Sequence, residues 1–68
     1  MKKENKISKN IKRLRKTQDL SQDRLSKLAG VSYNSIIKIE NSAITNPTIE
    51  TLQKIANALK VQVDDLIK

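Results

Sequence analysis

Apolar positions recur at helical spacing along most of the 68-residue chain. Ile7, Ile11 and Leu14 repeat at four then three, which predicts a first helix with one buried stripe. Lys9, Arg13 and Lys16 fall on its opposite face, and Arg15 on the shoulder of the stripe. The pattern fades at Thr17-Gln18-Asp19, where Asp19 suits a left-handed stop. Ser21 then offers an oxygen to the free N–H groups of a second helix, from about Gln22 to near Ala29. Leu20 and Leu25 take the hydrophobic-staple positions around that cap. Ser32 caps a third helix running to about Glu40. Ile36 and Ile39 define its inward stripe, Asn34 and Lys38 point outward, and Asn41 continues their line. Tyr33 projects from its first turn, about 60° from Ile36 at 100° per residue. Residues 41–46 read as a polar loop. Asn46-Pro47-Thr48 opens a fourth helix, with Pro47 at N1 behind Asn46 or with Thr48 as the cap. Ile49, Leu52, Ile55, Ala56 and Leu59 form its stripe. Val61, Val63, Leu66 and Ile67 predict a short last helix, its first-turn Asp64 and Asp65 complementing the helix dipole. With no strand pattern, repeat or low-complexity linker, the fold class is all-α: one five-helix domain over residues 1–68.

Within this frame the window QDRLSKLAGVSYNSIIKIEN, residues 22–41, reads as two short helices joined by a tight turn. Leu25, Ala29, Val31, Ile36 and Ile39 are spaced so that two crossing helices share one small core. Gly30, the sole glycine, falls where the chain reverses. Glycine accepts positive φ at little cost, and a side chain there is expected to crowd the neighbouring helix as well. This is a helix-turn-helix pattern.

Charge gives that pattern a direction. Fourteen Lys and Arg face seven Asp and Glu, a net charge of +7. Eight of the basic residues lie in the first sixteen positions, where Glu4 is the only acid, and residues 1–5 read as a basic arm. Concentrated positive charge favours polyanions through counterion release, and a helix-turn-helix in such a chain points to duplex DNA. A chain this short buries only about 60% of its unfolded surface, so each apolar residue counts. It contains neither cysteine nor histidine, so disulfides and the usual metal ligands are excluded. The acids show no pairing with a nucleophile and there is no Gly-rich phosphate loop, so no enzymatic activity, cofactor, metal or small-molecule ligand is expected. No run approaches the roughly 18 apolar residues of a membrane span and no signal-peptide core is present. The expectation is a soluble, cytoplasmic protein.

Three blocks, LSQDRLSKLAGVS, IIKIEN and NPTIETLQKIANALKVQVDDL, together resemble the phage-repressor and Cro type of helix-turn-helix domain, the xenobiotic-response-element-like regulators. The resemblance runs from about Ile7 to Leu66 and implies the compact five-helix bundle of those repressor domains. It implies that Gln22 and Asn41 contact phosphates, and that Ser32, Tyr33, Asn34 and Lys38 read bases. It also implies an ion pair between Arg15 and Glu40, and both residues sit on the shoulders of buried stripes by the wheel count. Four positions depart from the family pattern. Ser26 replaces an alanine and its hydroxyl needs a carbonyl one turn back. Lys60 replaces a glycine after the fourth helix, a substitution worth about 1 kcal/mol of strain if the turn is left-handed. Ile37 stands beside the outward face of the third helix, and SAITN lacks the frequent loop glycine.

The expected base-reading set is therefore Ser32, Tyr33, Asn34, Ile37 and Lys38. Asparagine suits adenine N6 and N7, and lysine suits guanine or a phosphate. The expected phosphate set is Arg13, Lys16, Ser21, Gln22, Ser35 and Asn41, with Lys2, Lys3 and Lys6 of the arm at longer range. Arg15 and Glu40 are expected to be structural. Val61, Val63, Leu66 and Ile67 are expected to form a two-fold interface, the alternative being ordinary packing against the fourth helix. The function so implied is a sequence-specific transcriptional regulator, a repressor in the first instance. It would bind a near-palindromic duplex operator as a homodimer, with half-sites about 34 Å apart. Contact with RNA polymerase would allow activation instead. A restriction–modification controller protein, an antitoxin, a protein-interaction module that has lost DNA binding, and non-specific coating through the basic end are the alternatives.

Overall fold

Among the described residues, four of five helices begin at a side-chain cap. The computed structural model describes residues 5–68, and the rest of the basic arm, Lys2 and Lys3 included, lies outside the described residues. Helix α1 (Lys6–Thr17) starts behind Asn5, whose Oδ1 accepts from the Ser8 N–H. Ser21 caps α2 (Gln22–Ala29), Ser32 caps α3 (Tyr33–Glu40) and Thr48 caps α4 (Ile49–Leu59), each accepting from the N–H three residues on. These bonds satisfy donors that the first helical turn leaves orphaned. Of the two readings for α4, Thr48 is thus the cap, and Pro47 precedes it rather than occupying N1. Helix α5 (Asp64–Ile67) has no such cap, and the Asp65 carboxylate instead accepts from the Gln62 N–H at 3.0 Å.

Left-handed residues end the helices. Asp19, Gly30, Ser42 and Lys60 have φ of 60°, 68°, 66° and 61°. Asn41, the C-cap of α3, has φ −94°. Its Oδ1 accepts from the Ala43 N–H at 2.9 Å, an Asx turn that passes the reversal to Ser42. Gly30 corrects another expectation. A Cβ built on it meets nothing within 4 Å, so the backbone angle alone, not crowding, calls for glycine there.

The core comprises Ile11, Leu25, Ala29, Ile36, Ile39, Leu52, Ile55, Ala56, Leu59 and Leu66. Helix α2 packs on α3 and α4, and α1 on α3 and α5. Ile49 is a correction: the stripe of α4 places it inside, yet it is 71% exposed. At the first helical position its side chain leans back toward the N-terminus, past the end of the core. Two polar side chains of α1 and one from its C-cap tie the bundle together through backbone carbonyls. The Ser8 hydroxyl donates to the Glu40 carbonyl, Gln18 Nε2 to that of Leu59 at 2.6 Å, and Asn10 Nδ2 to that of Leu66 at 3.0 Å. Each acceptor lies in the last turn of another helix, where carbonyls have no partner of their own.

Candidate nucleic-acid interface

Helix α3 is held from behind. Ile36 and Ile39 are buried in the core, and the loop that follows is pinned by the Ile44 N–H donating to the Lys38 carbonyl at 3.0 Å. Glu40, the only acid on α3, is 2% exposed. Arg15 meets it in a fork, Nε to Oε2 at 2.7 Å and Nη2 to Oε1 at 3.0 Å, while Nη1 donates to the Leu20 carbonyl at 2.7 Å. The planar guanidinium satisfies a carboxylate that burial alone would make costly. Gln22 Nε2 adds a third bond to Glu40 at 3.0 Å. One carboxylate thereby joins α1, α2 and α3, and no exposed negative charge remains on α3.

What α3 presents outward is Tyr33, Asn34 and Lys38, all exposed, with Ile37 half-buried beside them. Among the described residues, no hydrogen bond or ion pair engages the side chains of Asn34 and Lys38. Tyr33 is 47% exposed rather than covered beside Ile36. Ser32 belongs to this group by position, but its hydroxyl is occupied. It accepts from the Ser35 N–H and donates to the Ser35 Oγ at 2.8 Å, so both serines serve the cap first.

The phosphate set divides. Ser21 and Gln22 lie at the N-terminus of α2, an eight-residue helix whose leading N–H groups attract anions. The bond from Gln22 to Glu40 commits one of its two amide protons and fixes the side chain. Asn41 is exposed, with its oxygen used in the Asx turn. Arg13 and Lys16 stand apart from these. They are exposed on the outer face of α1, Arg13 about 140–160° and Lys16 about 80–100° round that helix from Ser8 and Arg15, which face α3.

The last segment corrects the interface expectation at Leu66. Leu66 has no exposed surface, and Val61 and Val63 are half-buried against the core, because the short α5 closes the bundle under α1. Of the four, only Ile67, at 48% exposure, offers a substantial free side chain. Sequence reading missed Ser8, Asn10 and Gln18. Gln18 had a signal, falling four after Leu14 and seven after Ile11 on the apolar stripe, where a polar residue needs a partner. Ser26 found the carbonyl it required, donating to Asp23 O at 2.7 Å. Among the described residues, no group of three or more acids is placed to hold a metal, and no helix is long and apolar enough to cross a membrane.

Residues 11–66 match the helix-turn-helix family model. The chain is 36% identical over 61 residues to the HTH-type transcriptional regulator SinR of Bacillus subtilis, covering 90% of this chain and 55% of SinR. It is 38% identical over 61 residues to the antitoxin PezA of Streptococcus pneumoniae, covering 90% of this chain and 38% of PezA. The chain thus spans about half or less of these relatives' length. Among solved structures, SinR in complex with DNA superposes with a TM-score of 0.85 at 37% identity, covering 88% of this chain and 95% of that one. The restriction-modification controller protein C.AhdI of Aeromonas hydrophila superposes with a TM-score of 0.86 at 26% identity, covering 91% and 92%.

Proposed function

From membership of the helix-turn-helix family, of the xenobiotic-response-element type, to which this chain belongs, we propose that it regulates transcription in the cytoplasm by reading duplex DNA through α3. One observation carries the reading: Asn34 and Lys38 are exposed, and without a partner among the described residues, on a helix whose opposite face is locked into the core. Such a helix enters a major groove without rearranging. Asn34 would bond adenine N6 and N7, Lys38 guanine O6 and N7 or a phosphate, and Tyr33 and Ile37 would offer apolar contact to a thymine methyl. Gln22, the N-terminus of α2 and Asn41 would hold the flanking phosphates and set the register. The SinR structure bound to DNA supports this reading.

A domain measuring 31 × 23 × 22 Å reaches few base pairs through one helix. We therefore propose that two copies bind half-sites about 34 Å apart on a near-palindrome, repressing by covering a promoter or activating by touching RNA polymerase from beside it. Ile67 is the residue best placed to contribute to a two-fold contact. Similarity to C.AhdI and PezA favours, as second readings, a restriction–modification controller or an antitoxin that uses the same face. Selection of bound sites from a random duplex pool tests the proposal. It is supported if one consensus emerges and Asn34→Ala costs about 1–3 kcal/mol on that site but little on random duplex. Equal loss on both, or no consensus, overturns it. Sedimentation showing only monomer at high micromolar concentration, with and without the selected duplex, removes the dimer.

A further inference from the structure

Helix α1 carries a second basic surface that the reading face leaves unused. Lys9, Arg13 and Lys16 follow one another at four and three residues, so the row rises about 6 and then 4.5 Å along the helix. With Asn10 and Lys12 they line a shallow groove of about 360 Å³. All three are exposed, and among the described residues no hydrogen bond or ion pair engages their charged groups. Arg13 also acts across to α5, where its charge is the smallest of the influences that hold the Asp65 carboxyl below its ordinary value. None of the exposed large apolar residues, Leu28, Tyr33, Ile49 and Ile67, lines this groove.

These features select the occupant. A protein partner would need an apolar or aromatic side chain to bury at its centre, and none lines the groove, whose apolar surface is only the aliphatic stems of its basic residues. A duplex backbone, with one charge per about 1.7 Å of axis, asks only for cations in a row and returns its counterions to solution. The row also turns away from α3, since Ser8 and Arg15 occupy the side of α1 that meets Glu40. We propose that the outer face of α1 is a sequence-independent site for the backbone of a second DNA duplex, held while α3 reads the first. This rests on the DNA-reading role of α3, and lets one domain bridge two DNA segments.

The test uses the full chain with its reading face occupied by an excess of the duplex selected above, and a labelled 12-base-pair duplex of scrambled sequence as the second probe. The wild-type protein captures the probe. Capture by Lys9→Gln/Arg13→Gln/Lys16→Gln should have a salt slope shallower by about 2.7 log units per log unit, so the charge-dependent part of binding, roughly 40-fold between 200 and 50 mM salt, disappears. Affinity for the selected duplex should change less than threefold, and helical circular dichroism should be retained. Unchanged capture by the triple variant overturns the proposal. So does a parallel fall in affinity for the selected duplex, which would place the row on the flank of the same DNA. Polyglutamate displacing the probe more effectively than unlabelled DNA of equal charge overturns it in favour of an acidic protein. The reading of α3 has its own readout: if Asn34→Ala costs nothing on the selected duplex that reading fails, while capture of the scrambled probe still decides the role of α1.

Discussion

Replacing Arg15 by Met keeps most of its aliphatic stem and deletes three hydrogen bonds and the charge opposite Glu40. The Glu40 side chain is 3% exposed and that of Arg15 12%, so solvent cannot take over the lost partner. Stranding a buried carboxylate costs about 3–5 kcal/mol. Gln22 still donates one bond, which places the expectation near 3 kcal/mol. At roughly 0.05–0.15 kcal/mol per residue the whole domain holds about 3–10 kcal/mol, so the loss is a large share. With a urea slope near 1 kcal/mol/M for so small a domain, the midpoint of the circular-dichroism transition at 222 nm should fall by about 3 M, or folding should be lost outright. The companion is Arg15→Met/Glu40→Leu. It removes the charge with its partner and leaves only the Gln22 amide and the Leu20 carbonyl short of a bond, about 1 kcal/mol each. The double variant should therefore be more stable than Arg15→Met alone. A single-variant loss under 1 kcal/mol, or a double variant that is the sum of the two singles, refutes the reasoning.

Three further outcomes follow from the backbone, the core and the titration of one group. Lys60→Gly should stabilise the domain by about 1 kcal/mol, because φ 61° strains a side-chain-bearing residue, whereas Gly30→Ala should cost about as much through its φ of 68° alone; urea midpoints moving the other way would count against both. Ile49→Ala should shift stability by less than about 0.5 kcal/mol and Ile55→Ala by about 2–5 kcal/mol, measured by the same transition, since the first side chain is exposed and the second fully buried. The Asp65 carboxyl is held below its ordinary value of 3.8, first by the Gln62 N–H and then by Lys68 and Arg13. Its contribution is complete above that value and is lost as pH falls through the lower folded one, so Asp65→Asn and the wild-type protein should differ at pH 6 and converge in acid unfolding below pH 4.

The helices were legible because their caps and stripes are local. Ser21 and Ser32, and the Asp19 stop, are each decided by a few neighbouring residues. The stripe of α4 misled at Ile49 because periodicity does not say where the partner helix ends. Leu66 misled for a related reason: it looked surplus until α1 was seen to cover it. The outward residues of α3 could be named from spacing, yet the demand that capping makes on Ser32 and Ser35 depends on hydroxyl geometry. The link from Gln22 to Glu40 joins residues eighteen apart in sequence, which no local pattern records.

The bonds from Ser8, Asn10 and Gln18 end on main-chain carbonyls, groups that every amino acid possesses. Helix α3 is anchored at its end without any requirement on what its outward side chains are. Positions 33, 34 and 38 are thereby released from architectural duty, so substitutions there can redirect which operator is recognised while the bundle stays intact. Divergence of target preference among duplicated copies of such a domain is, on this account, a short mutational walk rather than a redesign.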